Sequence, residues 1–171
     1  MCIRDRNNPP LRSEENRKKL WEYINDGTMD YIATDHSPWR PESKDGGIFT
    51  ANSGIASFDM FLPLMIDAIN RGIISYGKAA AMLSEKPADV FMLKEKGHLK
   101  PGYDADFVLV DMNGEFVFEM KNSYSKAGET MHVFDGRKLS GKIQSTWVRG
   151  TKVHEKGKTV AQAGYGKFVR P

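Results

Sequence analysis

The sequence has little cysteine and little histidine, and both shortages exclude kinds of chemistry. Among 171 residues there are one cysteine, Cys2, and four histidines. One cysteine cannot form an internal disulfide or a zinc site built from thiolates, a usage that fits a reducing cytoplasm. No two histidines lie two or four residues apart, so this chain cannot by itself supply the three or four ligands of a catalytic metal.

Long apolar runs and several well-known motifs are also missing. No stretch approaches the about 20 apolar residues of a membrane span, and no charged-then-apolar leader opens the chain. The sequence contains no Gly-x-Gly-x-x-Gly, no P-loop lysine motif and no Gly-x-Ser-x-Gly. We therefore expect a cytoplasmic protein with no membrane partner and with neither a nucleotide site nor a serine-hydrolase site.

The net charge is only +3, but the basic residues are concentrated towards the end of the chain. Residues 112–171 hold eleven Lys or Arg and five Asp or Glu. A basic tail can indicate nucleic-acid binding. These cations are spaced singly through alternating sequence and lack the clustered aromatics that stack on bases. We expect a solvated sheet face and no nucleic-acid partner.

The first part of the chain has the pattern of an α/β layer protein. Ser13 precedes two glutamates and an apolar stripe that ends before Gly27, which predicts a helix over residues 13–26. The apolar run at residues 29–34 predicts a buried strand. At 171 residues the chain is too short for a whole (β/α)₈ barrel, which needs about 250 residues.

Three further helices are predicted after a loop rich in Pro, Gly and charge. Residues 57–70 are apolar nearly all round, which predicts a helix between layers, with Pro63 kinking it or lying in its first turn. Residues 75–83 also read as a helix, and Pro87 is placed to start a short one that continues to residue 93.

From Gly97 onward the pattern becomes that of β-structure. Short β-type runs alternate with glycine-containing turns, and the last of them read as a hairpin ladder. The predicted strands are residues 106–111, 115–119, 144–149, 152–154 and 158–161. The chain is therefore expected to be α/β in its first part and β in its second.

The strongest chemical signal is Thr-Asp-His-Ser-Pro at residues 34–38, directly after the predicted strand. In a parallel α/β sheet, polar residues just past the strand ends face the ligand crevice. Asp35 at this position could ligate a divalent metal or accept a proton from activated water. The alternative is that Asp35 caps a turn fixed by Ser37 and Pro38. Spacing leaves both open, and His36 alone fits a structural histidine.

Several segments together resemble one known family. The matching stretches are residues 8–15 (NPPLRSEE), 26–38 (with DGT and DYIATDHSP), 83–88 (LSEKPA), 96–111 (KGHLKPGYDADFVLVD), 148–153 and 164–171. The combination resembles the cyclic amidohydrolases of the amidohydrolase superfamily, the branch that contains dihydroorotase, allantoinase and hydantoinase. The resemblance covers residues 7–171 almost without a break.

The resemblance implies a fold and a domain division. Members of the family are (β/α)₈ barrels with one or two divalent metals, usually zinc, beside a small β-sandwich. Residues 7–95 would then be the C-terminal end of the barrel, and residues 96–171 the C-terminal part of the sandwich. Residues 1–6 match nothing in the family and are expected to be a non-native leader. The chain would be a C-terminal fragment of an enzyme that is commonly a dimer or tetramer.

The resemblance also assigns roles to individual residues. Asp35 matches the aspartate after the eighth barrel strand, which is a metal ligand and passes a proton to the leaving nitrogen. His36 and Pro38 are its structural neighbours. Residues Asn52, Ser53 and Gly54 match a segment whose backbone holds the substrate ring, although an ordinary turn feeding the next helix is an equal alternative.

The substrate implied by the resemblance depends on Trp39. In dihydroorotases the fourth residue after the aspartate is typically a histidine that holds the substrate carboxylate, whereas an indole N–H can donate only one hydrogen bond. We therefore predict hydrolysis of a cyclic amide or ureide, first of all allantoinase-like ring opening. Dihydroorotase and hydantoinase or dihydropyrimidinase are the alternatives.

The remaining metal ligands of the family precede the stretch present here. The 171-residue chain alone is accordingly expected to be inactive, because one carboxylate cannot hold a catalytic metal. A second alternative is a non-catalytic scaffold, since some relatives keep the fold but have lost metal ligands.

Overall fold

Helices form the first half of the chain, and one antiparallel sheet forms most of the second. The computed structural model describes residues 6–171, so the predicted leader lies outside the described residues except for Arg6. The helices are α1 (Glu14–Asp26), α2 (Phe58–Asn70), α3 (Tyr76–Ala80) and α4 (Lys86–Val90); the strands are β1 (Phe107–Val117), β2 (Lys138–Val148), β3 (Thr151–Glu155) and β4 (Lys158–Thr159). Short 3₁₀ turns occupy Pro41–Lys44, Met120–Asn122 and Gly128–Phe134.

The first helix confirms the sequence prediction. The Ser13 side chain accepts a hydrogen bond from the backbone N–H of Asn16 at the N-terminus of α1, and Gly27, at φ 91°, ends the helix. Left-handed backbone favours glycine, which explains the stop. The helix buries Ile24 in a core cluster that also contains residues of the later helices, among them Met65 and Met82.

Residues 29–34 do not form the predicted strand. Within residues 6–171 no strand pairs with them, and their contacts include a hydrogen bond of 3.3 Å from the Ile32 N–H to the Met82 carbonyl. A parallel strand forms only through hydrogen bonds to a neighbouring strand, and residues 6–171 provide no such neighbour for this apolar run.

The predicted helices over residues 75–83 and 87–93 are one continuous helical stretch. A π-helical turn, Ala81–Glu85, joins α3 to α4, and α4 ends at Val90 rather than at residue 93. Pro87 is the second residue of α4 and lies two positions after the end of this widened turn. A proline inside a helix lacks an N–H and crowds the preceding turn, and a π-turn is one way to accommodate it.

The sheet is a meander in the order β1-β2-β3-β4. The predicted strands at residues 106–111 and 115–119 are one strand, β1, with an irregular register between Asp111 and Glu115. The hairpin turns are confirmed: Arg149-Gly150 and Lys156-Gly157 both have two consecutive positive φ angles, as tight hairpins require.

Helix α2 is the central element because it contributes to both core clusters. Met65 packs with Ile24 and Met82, whereas Met60 packs with Met131 and Leu139. Pro63 lies inside α2 rather than in its first turn, and the helix remains continuous.

Polar contacts also attach α2 to the sheet. The Asp67 carboxylate accepts hydrogen bonds from the Ser140 N–H at 3.0 Å and the Ser140 hydroxyl at 2.9 Å. Burial raises the pKa of Asp67, but these bonds outweigh that effect and hold it below its ordinary value. A side chain at Gly141, φ 91°, would place its Cβ 2.2 Å from Ile66. The helix and β2 are therefore in direct contact.

An ion-pair cluster at the start of β1 makes stability depend on pH. The Lys96 ammonium lies 2.6 Å from carboxylate oxygens of both Asp104 and Asp106. Burial opposes ionisation of Asp106, but hydrogen bonds from Lys96 and from the Arg149 N–H outweigh it and lower the pKa of Asp106. A carboxyl whose pKa is lower in the folded state stabilises the fold above its unfolded pKa, and the benefit disappears as pH falls through the folded pKa.

Asp106→Asn should therefore lower the free energy of unfolding near pH 7 by about 1 kcal/mol, a small value because the Asp106 side chain is 33% exposed. The difference from the parent chain should shrink steadily below pH 4. Urea unfolding at several pH values would measure it. A difference that stays constant down to pH 2 would contradict this account.

Candidate active site

The loop at residues 34–38 lies against the segment that leads into α2. The Thr34 carbonyl accepts a hydrogen bond from the Ser57 hydroxyl at 3.1 Å, and the Ser37 N–H donates to the Ile55 carbonyl at 3.2 Å. Both bonds join residues that lie about 20 positions apart in the chain. The loop is thus held by tertiary contacts as well as by its own turn.

Asp35 occupies an exposed and conformationally unusual position in this loop. Its φ is 45°, a left-handed value that residues other than glycine rarely adopt, although Asp and Asn tolerate it best. Within residues 6–171 the Asp35 carboxylate accepts no hydrogen bond, and the Ser37 N–H that a capping carboxylate would accept goes to Ile55 instead. The turn-cap alternative is therefore not what the structure shows, and the carboxylate is available for a ligand.

His36, the residue that follows Asp35, contacts the start of α2 through its ring. Its Nδ1 accepts hydrogen bonds from the Ser57 N–H at 3.0 Å and the Phe58 N–H at 3.3 Å. Its ring stacks on the Phe58 ring, with centroids 4.0 Å apart and an interplanar angle of 11°. Pro38 is exposed two residues later.

The segment Asn52, Ser53 and Gly54 lies beside the same loop. Trp39 donates its indole N–H to the Ser53 carbonyl at 2.8 Å. Gly54, at φ 127°, lies so close to the loop that a Cβ there would be 2.3 Å from the Ser37 Cβ. The structure therefore brings all the sequence-predicted site residues into one pair of adjoining segments.

Lys44 is a buried residue at this site that the sequence did not reveal. It is 0% exposed, and its Nζ donates hydrogen bonds to the carbonyls of Arg6 at 3.2 Å, Asn52 at 3.3 Å and Gly54. A buried ammonium needs such acceptors to offset the cost of desolvation. A single lysine in a charged loop gives no sequence signal for this role.

The described chain does not contain a complete metal site. Across residues 6–171, no group of three or more His, Cys, Asp or Glu side chains is arranged to hold a metal ion. Asp35 can thus provide one carboxylate ligand and no more. No helix in this part of the chain is both long and apolar enough to cross a membrane.

Comparison with protein families decides the affiliation. The model of the amidohydrolase family matches residues 2–160, most of the chain. This chain belongs to the amidohydrolase family. Enzymes of this family are generally metal-dependent, which is consistent with an Asp35 carboxylate that accepts no hydrogen bond from the described part of the chain.

Amidohydrolase relatives in sequence carry the enzyme names dihydroorotase and allantoinase. The chain is 45% identical over 165 residues to a dihydroorotase of Halobacterium salinarum, covering 96% of this chain and 38% of that protein. It is 36% identical to a dihydroorotase of Pyrococcus horikoshii (95% and 37%) and 32% identical to an allantoinase of Escherichia coli K12 (94% and 35%). The names place this amidohydrolase in the cyclic amidohydrolase branch and leave its substrate open.

Solved structures of related amidohydrolases agree with this family assignment. The L-hydantoinase (dihydropyrimidinase) of Arthrobacter aurescens superposes with a TM-score of 0.87 at 30% identity, covering 97% of this chain and 38% of that one. The D-hydantoinase (dihydropyrimidinase) of Thermus sp. gives 0.86 at 26%, covering 98% and 37%. This amidohydrolase chain therefore has the fold of the matching part of these enzymes and spans well under half of their length.

Proposed function

We propose that this chain is the C-terminal part of a metal-dependent hydrolase that opens a cyclic amide or ureide ring. In this proposal residues 7–95 complete a (β/α)₈ barrel, and residues 96–171 belong to a small β-sandwich. The observation that carries the proposal is the carboxylate of Asp35, which accepts no hydrogen bond from residues 6–171. Asp35 is held in a left-handed backbone conformation between two residues that are both bonded to the start of α2.

Asp35 is suited to two roles in such a reaction. As an exposed carboxylate it fits one ligand position of a divalent metal, which we propose to be zinc, as one or two ions. When bound, the metal supplies Lewis-acid polarisation of the amide carbonyl and a lower pKa of water. Asp35 itself would accept a proton from the attacking water at its carboxylate and pass it to the leaving nitrogen. The further ligands would come from outside residues 6–171.

We propose that the substrate ring is uncharged, as in allantoin. Support comes from Trp39, whose indole N–H is already bonded to the Ser53 carbonyl and is not free to bind a substrate carboxylate. Of the backbone N–H groups of Asn52, Ser53 and Gly54, that of Ser53 has no hydrogen-bond partner within residues 6–171, and it would bind the ring. Dihydroorotase and hydantoinase or dihydropyrimidinase activities are the alternatives, and the dihydroorotase relatives are the more similar in sequence.

The full-length gene product, loaded with zinc, tests the proposal directly. We expect ring opening of allantoin in preference to hydantoin, dihydrouracil and dihydroorotate, and loss of activity after chelation. The 171-residue chain alone should be inactive, because a single carboxylate cannot hold the metal. A folded, metal-loaded protein that is inactive on all four rings would support a non-catalytic scaffold instead. Light scattering would test the dimer or tetramer that we also propose.

Trp39 provides a separate test of substrate charge. Trp39→His should raise kcat/KM for dihydroorotate relative to allantoin by about tenfold, since a hydrogen bond to a charged group is worth about 1.5–3 kcal/mol. Trp39→Phe is the matched control, because it removes the indole N–H without adding a cation and should not raise this ratio. An unchanged ratio in Trp39→His would mean that residue 39 does not face the substrate.

A further inference from the structure

The N-terminus of α2 is capped by a residue from a distant part of the chain. The residue at the N-cap position, Ser57, makes no side-chain cap bond to the helix; its hydroxyl donates instead to the Thr34 carbonyl. The N–H groups of Ser57 and Phe58 both point to Nδ1 of His36, 21 and 22 residues earlier. Amides at the start of a helix have no partner within it, so His36 supplies one from outside.

These bonds fix the chemical state of the His36 ring. A ring nitrogen that accepts N–H hydrogen bonds must keep its lone pair, so the neutral imidazole carries its proton on Nε2. Stacking on Phe58, 63% exposed, adds a flat contact that orients the ring. The start of α2 therefore sets both the orientation of the His36 ring and the hydrogen-bond partners of its Nδ1.

The same bonds bear on Asp35, because the residue on each side of it is tied to Ser57. Thr34 is held through its carbonyl and His36 through its ring. The left-handed φ of 45° at Asp35 is disfavoured for a residue with a side chain, and it persists only where the surroundings enforce it. The bonds to the start of α2 contribute to enforcing it, together with bonds inside the loop from the His36 N–H to the Thr34 hydroxyl and from the Ser37 hydroxyl to the Asp35 carbonyl.

We propose that His36 is a positioning residue that holds Asp35 in place through its Nδ1 bonds to α2. The inference rests on the proposed role of Asp35. Without an acceptor at Nδ1, the loop can relax from the left-handed conformation, and the Asp35 carboxylate moves away from the reacting atoms. Substrate binding through residues 52–54 should be affected much less.

Three variants of the full-length, zinc-loaded protein test this proposal. His36→Leu removes the acceptor, whereas His36→Asn places an amide oxygen close to the position of Nδ1. His98→Leu is the control, since His98 lies near Glu85 and Asp89 rather than in the site loop. We expect His36→Leu to lower kcat at least tenfold with KM within twofold of the parent, His36→Asn to recover most of that loss, and His98→Leu to keep the parent kcat.

Hydrogen exchange followed by mass spectrometry provides a readout that does not need activity. Peptides that contain residues 34–37 and 57–58 should exchange faster in His36→Leu and at the parent rate in His36→Asn. Unchanged exchange in His36→Leu, an unchanged kcat, or an asparagine variant as impaired as the leucine variant would overturn the positioning role. If Asp35→Asn kept full activity, the proposed function would fail as well, which separates the two outcomes.

Discussion

Asp35→Asn is expected to lower kcat for ring hydrolysis by about 10³-fold, within the range that general acid–base groups contribute. The amide cannot accept a proton at this position and is a weaker metal ligand than the carboxylate. Because asparagine tolerates the left-handed conformation as readily as aspartate, the loop should keep its φ of 45°. The substitution therefore changes the chemistry and leaves the backbone in place.

The control for this experiment is Asp30→Asn, the same change at an exposed aspartate five residues earlier. In urea, the free energy of unfolding of both variants should lie within about 0.5 kcal/mol of the value for the parent protein, as it usually does for substitutions at exposed sites. Steady-state kinetics on the preferred ring substrate would compare them. Equal activity of the two variants would remove Asp35 from the reaction.

Gly54→Ala is expected to have a large structural effect at the site loop. The new methyl group would lie 2.3 Å from the Ser37 Cβ and 3.0 Å from its hydroxyl, and the φ of 127° is one that alanine rarely adopts. Steric overlap and backbone strain should together cost about 3 kcal/mol of unfolding free energy. Because Ser37 belongs to the loop that carries Asp35, kcat should fall with stability.

Gly72→Ala isolates the contribution of backbone strain. Gly72 also has a positive φ, 68°, but a Cβ there would meet nothing within 4 Å. Gly72→Ala should lower the free energy of unfolding by about 1 kcal/mol, the penalty for a left-handed alanine alone, and should leave kcat unchanged. Urea unfolding of both variants measures the difference. Similar losses of stability would show that Gly54 and Ser37 do not pack as closely as described.

The parts of the fold that the sequence predicted are those determined by nearby residues. The cap at Ser13, the stop at Gly27 and the paired hairpin turns depend on interactions within a few positions, and all three are confirmed. The strand at residues 29–34 was wrong because its formation depends on neighbouring strands. The merging of residues 75–90 into one helix depended on a π-turn that periodicity does not indicate.

The candidate site was also predicted only in part from the sequence. Asp35 was identified from its position after an apolar run, and Trp39 and residues 52–54 from the family resemblance; the structure brings them together. The buried ammonium of Lys44 and the capping role of His36 were not predictable, because each depends on partners that only the folded chain brings within reach. Both of these residues stabilise the backbone of the site segments, and neither is proposed to contact the substrate.

The attachment of α2 to β2 also sets an order of events during synthesis. The Asp67–Ser140 bonds close a segment of 73 residues, and loop closure of this length must precede the burial that rewards it. On the ribosome, residues 34–58 emerge long before β2 does. We expect α2, whose first residues contact the Asp35 loop, to be fixed against the sheet only after residue 140 has left the exit tunnel.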